Sequence, residues 1–308
     1  MATTTSQSFD SGHADMVHDA QLDYYGKLLA TCSSDRVIKL FDVLGETQRH
    51  ICDLTGHDGP VWQVAWAHPK FGQLLASCSF DRRVIIWKEG QQGAWEKVFV
   101  SPTTLHDSSI NSICWAPHEL GLHLACASSD GSLSVISHTK DGTWDTNKKG
   151  MEKAHLIGCT SVSWAPATLP GSMVSATAGS GLVRSLVSAG CDNTVKVWSY
   201  VEGSQEWRIE AVLEGHTDWV RDASWAPNVG LPMSTIASCG QDEKVYIWTQ
   251  EKPGAPWKST LLQDFKVPVW RVSWSVTGNI LAVSDGNHAV TLWKEQLDGT
   301  WVQISSVQ

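Results

Sequence analysis

Several familiar signatures are missing from this 308-residue sequence, and each absence closes a class of function. No run approaches the roughly 18 uninterrupted apolar residues that a membrane helix needs. The opening stretch MATTTSQSFDSGHAD has neither a basic flank nor an apolar core, so no secretory signal peptide is expected. Positive charge is in deficit. The 23 Lys and Arg face 32 Asp and Glu, a formal net charge of -9, which argues against direct nucleic-acid binding and against adsorption to anionic membrane. The eight cysteines include no Cys-x-x-Cys pair, so zinc and thioredoxin-type redox sites lack their spacing. Several recur in similar apolar settings (ATCSSD, ASCSFD, ASCGQD) and read as small reduced core residues of a cytosolic chain. Neither an Asn-x-Ser/Thr acceptor nor a G-x-S-x-G, G-x-G-x-x-G, H-E-x-x-H or P-loop pattern occurs. No catalytic, cofactor-binding or metal-ligating residue is therefore expected, and no cofactor.

Tryptophan, in contrast, is abundant, with 17 residues. Trp66, Trp115, Trp164, Trp225 and Trp274 each end an apolar-x-Trp pattern, at spacings of 49, 49, 61 and 49 residues. Phe41, Trp87, Ile136, Trp198, Trp248 and Trp293 end a second series of short apolar runs, and Trp95, Trp144, Trp207, Trp257 and Trp301 form a third. Three registers on one period mean repeated units, as in a propeller or an array. Each unit reads as four short strands rich in β-branched and aromatic residues, and no segment sustains a helical period. Runs such as LLAS and VIIW are apolar on both faces, as sheets stacked between neighbours require.

The expected architecture is all-β, a six-bladed β-propeller. A polar extension covers residues 1–12, and blades cover about 13–53, 54–102, 103–152, 153–212, 213–263 and 264–308. The longer fourth unit takes a Gly, Ser, Ala and Thr-rich insertion at 167–183, read as a surface loop.

A polar motif runs through the repeat. His57, His106, His155 and His216 each stand nine residues before their Trp. Asp35, Asp81, Asp130, Asp192 and Asp242 each stand six before the strand-ending Phe41, Trp87, Ile136, Trp198 and Trp248. Thr31, Ser77, Ser188 and Ser238 stand four before the Asp. This pattern resembles the WD-repeat family, and the absence of a Gly-Gly pair sets it apart from kelch propellers. The resemblance implies one hydrogen-bonded network per blade. Three are complete: His57, Ser77, Asp81 and Trp87; His155, Ser188, Asp192 and Trp198; His216, Ser238, Asp242 and Trp248. Unit one has Phe41 for the Trp. Unit three has Cys126 for the hydroxyl and Ile136 for the Trp, and unit six has Phe265 for the His and Asn287 for the Asp. Blades three and six are therefore expected to be the least buttressed. A His-Ser-Asp set also suggests a hydrolase, but a catalytic site would occur once and need an oxyanion hole.

Longer stretches are more specific. Residues 23–43 (DYYGKLLATCSSDRVIKLFDV), 61–88 (VWQVAWAHPKFGQLLASCSFDRRVIIWK), 155–166 (HLIGCTSVSWAP) and 218–249 (DWVRDASWAPNVGLPMSTIASCGQDEKVYIWT) resemble the propeller subunits of the coat-protein-complex-II outer cage. Such subunits are shared with the Y-shaped nuclear pore scaffold. The resemblance implies a non-enzymatic scaffold for endoplasmic reticulum to Golgi transport and for pore architecture. It implies a hetero-oligomer, cytoplasmic or at the nuclear envelope, that meets membranes only indirectly through the coat. The partners implied are a coat rod subunit and a nuclear pore scaffold nucleoporin, either of which inserts a blade. Two alternatives stay open: a generic WD-repeat adaptor such as a ubiquitin-ligase substrate receptor, or a subunit of an amino-acid-sensing regulatory complex.

The residues support the inserted blade in one further respect. The last unit carries its own fourth strand at Trp301–Ile304, and only a short polar stretch precedes the first unit, so the ring is expected to be open. Candidate seam residues are Ala20, Leu22, Leu28, Ala30, Val37 and Leu40 in blade one, and Val269, Val272, Ile280, Ala282, Val290 and Leu292 in blade six. Which alternate residues point to the seam depends on register, because a slip of one residue flips every side chain.

Overall fold

The computed structural model describes residues 8–45, 47–168, 182–228 and 233–307. Over these residues the fold is an all-β, six-bladed β-propeller, with two single-turn 3-10 segments and no α-helix. The chain divides into two compact units, residues 1–148 and 149–308. In the first, blade one comprises β1 (Val17–Leu22), β2 (Leu28–Ser33), β3 (Val37–Leu44) and β4 (Thr47–Thr55). Blade two comprises β5 (Val61–Trp66), β6 (Leu74–Ser79), β7 (Val84–Glu89) and β8 (Trp95–Val100), and blade three β9 (Ile110–Trp115), β10 (His123–Ser128), β11 (Leu133–His138) and β12 (Trp144–Asn147). In the second unit, blade four comprises β13 (Cys159–Trp164), β14 (Ser185–Gly190), β15 (Thr194–Val201) and β16 (Glu206–Glu214). Blade five comprises β17 (Val220–Trp225), β18 (Ser234–Gly240), β19 (Lys244–Gln250) and β20 (Lys258–Asp264), and blade six β21 (Val269–Trp274), β22 (Ile280–Asp285), β23 (Val290–Glu295) and β24 (Trp301–Val307).

Every sheet pairs four consecutive strands antiparallel, so blade six keeps β24 as its own outer strand and blade one keeps β1 as its own inner strand. Most of the 167–183 insertion lies outside the described residues, as do residues 1–7 of the polar extension. Residues 8–12 are not merely a polar lead-in: the Phe9 ring meets Phe41 of β3 edge-on, with centroids 5.2 Å apart.

The turn between the second and third strands has one construction throughout. A residue with positive φ closes it in each blade: Arg36 (70°), Arg82 (69°), Gly131 (83°), Asn193 (65°), Glu243 (67°) and His288 (63°). A left-handed conformation is costly for a residue with a Cβ. The preceding carboxylate offsets that cost by accepting the amide two residues ahead, as Asp35 does from Val37 (2.9 Å) and Asp81 from Arg83 (2.9 Å).

Within each unit, blades are joined by apolar faces and by one recurring polar junction. The inner strand is bulged near its start, at Val17/Asp19, Val61/Gln63, Val220/Asp222 and Val269/Arg271 among others. A bulge leaves a residue out of the ladder. The amide just beyond it donates to the blade before: Val64 to the Asp19 carboxylate (3.2 Å), Ile113 to the Gln63 side-chain oxygen (2.7 Å) and Val272 to the Asp222 carboxylate (3.0 Å). Two residues further on, the indole N–H of the strand-ending Trp donates to a carbonyl of that same preceding blade: Trp66 to Gln21 (2.9 Å), Trp115 to Ala65 (2.9 Å) and Trp274 to Ser224 (3.1 Å). Around these junctions pack the apolar side chains. Ala30, Cys32, Ile38 and Leu40 of blade one meet Val61, Val64, Leu75 and Ile85 of blade two, and Cys239, Val245 and Ile247 of blade five meet Val269, Val272 and Val283 of blade six.

Asp222 also accepts the Ser161 hydroxyl at 2.6 Å, so it ties blade five to both neighbours in its unit. Asp222→Ala leaves the Val272 amide without its acceptor and is expected to cost about 1–3 kcal/mol. Urea denaturation should show the midpoint falling with the slope unchanged, and an unshifted midpoint would show the junction to be dispensable.

Candidate functional site

The His-Ser-Asp-Trp sets are buried between the inner three strands and the face each blade turns toward the one before it. In blade two, His57 Nδ1 lies 2.9 Å from Asp81, His57 Nε2 lies 2.8 Å from Ser77 Oγ, and Trp87 Nε1 donates to Ser77 Oγ at 3.0 Å. In blade four the same contacts are His155 to Asp192 (2.8 Å), His155 to Ser188 (2.8 Å) and Trp198 to Ser188 (2.9 Å). In blade five they are His216 to Asp242 (2.9 Å), His216 to Ser238 (2.8 Å) and Trp248 to Ser238 (2.8 Å). A carboxylate only accepts, so the ring proton sits on Nδ1. Nε2 then accepts the hydroxyl proton, and the hydroxyl oxygen accepts from the indole. Donors and acceptors match along the whole chain of bonds.

This order of Asp, His and Ser is also that of a nucleophilic triad, but the chemistry does not follow. Ser77, Ser188 and Ser238 are 0% exposed, and the indole N–H occupies the oxygen that would have to attack. The cysteines are similarly quiet. All eight are free thiols, and burial pushes Cys126 up to about 12 and Cys78 and Cys239 well above the usual range, where no thiolate forms. Among the described residues no cluster of three or more His, Cys, Asp or Glu could hold a metal, and no helix is long and apolar enough to cross a membrane.

The incomplete blades differ from expectation in an instructive way. In blade one His13 bridges Asp35 (2.8 Å) and Thr31 (2.9 Å), with Phe41 in place of an indole. In blade three, where Cys126 replaces the hydroxyl, His106 Nε2 meets Ser134 Oγ at 2.8 Å. Ser134 is the cross-strand partner of Cys126, so the hydroxyl has moved one strand over on the same face. Blade six does the same: Trp293 Nε1 donates to Thr291 Oγ1 at 2.9 Å, and Thr291 is the cross-strand partner of Val283. With Asn287 at the usual Asp position, Asp285 takes over the turn and accepts the Asn287 and Ala289 amides. In blade three His106 therefore keeps its hydroxyl partner in spite of Cys126, while the indole donor is absent because Ile136 stands in the Trp position. The overlooked signal is a Ser or Thr two residues before the strand-ending residue.

The strand register divides the seam candidates. In blade one, Ala20, Leu22 and Val37 lie on the face turned away from blade two, beside Leu29, Thr31 and Phe41. Leu28 shares the other face with Ala30 and Leu40, which are 0% exposed against blade two and are no part of an outer face. In blade six, Ile280, Ala282, Val290 and Leu292 lie on the face turned away from blade five. Val269 and Val272 pack into the core between blades five and six. Leu22 and Val290 remain 55% and 38% exposed.

The carboxyls of Asp35, Asp81, Asp130, Asp192 and Asp242 carry a burial penalty that would raise them, yet the His rings and turn amides hold all five below the usual range. His155 is pushed down by burial, partly opposed by Asp192.

The profile "WD domain, G-beta repeat" matches residues 4–42, 48–88, 98–137 and 207–249. Over 306 residues the chain is 63% identical to "Protein transport protein SEC13 homolog A" of Arabidopsis thaliana, covering 98% of this chain and 99% of that one. It is 59% identical over 305 residues to "Protein SEC13 homolog" of Dictyostelium discoideum, covering 98% and 99%. To "Protein SEC13 homolog" of Drosophila melanogaster it is 50% identical over 299 residues, covering 97% and 83%.

Two tests address the networks. Ser134→Ala should cost about 1–3 kcal/mol by stranding His106 Nε2, and Asp242→Ala a similar amount, whereas Cys126→Ala removes no hydrogen-bond partner of His106 and should cost less. Equal losses from Ser134→Ala and Cys126→Ala in chemical denaturation would refute the relocated hydroxyl. The second test is acid titration. A depressed native carboxyl contributes stability that is complete above its unfolded value of about 3.9 and is lost as pH falls through the native value. A depressed His155 contributes stability above about 6.5 that declines as pH falls from there. The melting temperature should therefore fall in two stages on acidification, and His155→Gln should remove the earlier one.

Proposed function

The chain belongs to the SEC13 family of WD-repeat proteins, and from that premise we propose that it is a non-enzymatic propeller subunit of the vesicle-coat outer cage. In this reading it serves transport from the endoplasmic reticulum to the Golgi and is shared with the Y-shaped scaffold of the nuclear pore. It works as a hetero-oligomer, cytoplasmic at exit sites and coated vesicles and also at the nuclear envelope, and reaches membranes only through its partners. A coat rod subunit, or in the pore a scaffold nucleoporin, completes the propeller with a blade of its own.

One observation carries the inserted blade. At the junctions one-two, two-three and five-six, the following blade ends its inner strand in an indole that donates backward, and the preceding blade offers a side-chain acceptor that reaches forward. The positions that would make such a junction from blade six to blade one carry other chemistry. Blade one has Leu22 where blade two has Trp66, and blade six has Arg271 where blade five has Asp222. Neither can fill its role: leucine donates nothing, and a guanidinium accepts nothing. The outer faces carry apolar side chains, Ala20, Leu22 and Val37 on one and Ile280, Ala282, Val290 and Leu292 on the other. Strands from a partner would cover these faces and extend the sheet stacking, with side chains supplying specificity. At about 25 cal/mol per Å², a few hundred Å² of apolar surface on each face is worth several kcal/mol.

Hydrogen exchange with and without the coat rod subunit tests the proposal. Residues 15–43 and 265–305 should gain protection on binding far beyond blades three and four. Uniform protection through all six blades, or a pull-down from lysate that recovers neither rod nor pore scaffold, would refute it.

A further inference from the structure

One place in the repeat is filled in blades one and two and open in blade five. In blade two, Lys97 on the outer strand stands directly across from Trp87, and its Nζ lies 5.4 Å from the centroid of the indole ring. Gly56 makes the room: a Cβ added there would collide with Lys97 Nζ and lie 3.4 Å from Trp87 Cη2. In blade one, His50 stands across from Phe41, with ring centroids 5.6 Å apart. Blade five keeps the indole and the glycine but not the cation. Ser259 stands across from Trp248, and a Cβ on Gly215 would meet Trp248 Cη2 at 3.0 Å, with Tyr246 Cε1 next at 3.9 Å. Among the described residues, no counterpart of the Lys97 ammonium lies against Gly215. Instead a cavity of about 430 Å³ opens between blades four and five, lined by Trp248, Trp257, Ser259, Glu210 and Glu214 among others. The turn that borders it is held by Gln250, whose Nε2 donates to the Ala255 carbonyl at 2.9 Å.

We infer that this cavity takes the ammonium of a lysine side chain carried by an extended segment of a protein partner. The fold itself seats that side chain at the equivalent place in blade two, where an indole attracts the cation. The lining supplies negative charge that the chain leaves unused. Glu206, at the start of the same strand, pairs with Lys149 at 3.0 Å, whereas Glu210 and Glu214 form no ion pair among the described residues. The Ser259 hydroxyl can accept one of the ammonium protons. Trp257 Nε1, in the same lining, is buried without a hydrogen-bond partner. An ammonium cannot satisfy it, because both groups donate, but a backbone carbonyl of the segment that carries the lysine can. That requirement selects a peptide over a free amine. None of these residues belongs to the seam, so the inference stands apart from the inserted blade.

The test follows the indole N–H signals of the full chain by NMR during titration with three probes: acetyl-Gly-Lys-Gly-amide, its norleucine analogue, and butylamine. The lysine peptide should move the Trp248 and Trp257 signals and bind about fivefold or more tighter than either other probe. The Trp87 signal should stay in place, because Lys97 already occupies that site. Ser259→Lys should supply an ammonium from within and abolish the response, and Lys97→Ser should make Trp87 respond in its turn. Glu210→Gln with Glu214→Gln, a change at two exposed positions, serves as the second variant and should weaken the lysine peptide about threefold or more. Equal binding of the norleucine peptide would mark a merely apolar cavity, and equal binding of butylamine a site for free amines. Either result, or indole signals that do not move with the lysine peptide, would overturn the inference.

Discussion

The inner-strand amide that donates to the blade before it sets the terms for the rest of the molecule. Between stacked sheets an N–H left unpaired costs about 1–3 kcal/mol. The acceptor comes from the blade before, from Asp19, Gln63 or Asp222. The indole bond runs the same way, from the later blade to the earlier. Both bonds are directional, so stacked blades have a head and a tail. Interior blades answer both directions at once, as Asp222 does with Ser161 behind it and Val272 ahead. Blade one and blade six carry other side chains at these positions, Leu22 in place of the indole and Arg271 in place of the acceptor, and blade four carries Ser161, which donates to Asp222.

The blade networks obey the same rule with more freedom. What His106 needs is a hydroxyl within reach of Nε2, not a hydroxyl at a fixed place in the sequence. Residues paired across adjacent strands sit side by side on one face. The second and third strands therefore offer two equivalent sites, Cys126 or Ser134 in blade three and Val283 or Thr291 in blade six. Blade six goes further, with Asp285 holding the turn amides in place of a residue at 287. Substitutions that look like losses along the chain are exchanges across the sheet.

That difference explains what could be read from the sequence. Strands and turns were legible because their signals are local: the run VIIW, the Asp before a left-handed residue, the period that aligns Trp66 with Trp115. Trp87 and Ser77 were legible as a pair because they lie on neighbouring strands of one hairpin at constant separation. The junctions were not, because Asp19 and Val64 lie 45 residues apart and Gln63 and Ile113 lie 50 apart, so they become visible only once the stacking order is known. The outer faces were half legible. Composition pointed to Leu22 and Ala30 alike, and only the bulge at Val17/Asp19, which sets the register, turned one outward and the other into the core. Phe9 escaped notice because a lone aromatic in a polar stretch has no periodic partner, although its ring lies on Phe41.

A molecule built this way spends its polar chemistry on cohesion. The imidazoles and hydroxyls of the blade networks are buried and mutually satisfied, and the buried thiols of Cys126 and Cys239 are held protonated. Within each unit the terminal blades carry apolar rows of the same kind on the face turned away from their neighbour, Leu22 and Ala20 in blade one and Ile280, Ala282 and Leu292 in blade six. Such a face recognises by continuation. It accepts strands that extend the same ladder, fill the same apolar rows and complement the same register positions. Selectivity among strands must then come from the positions that break the repeat, since the positions that keep it would accept any blade, including another copy's. Arg271 and Leu22 are two such breaks. A repeat kept in full at every blade would offer each neighbour the same donors and acceptors, so departures from it are where one junction can be told from another.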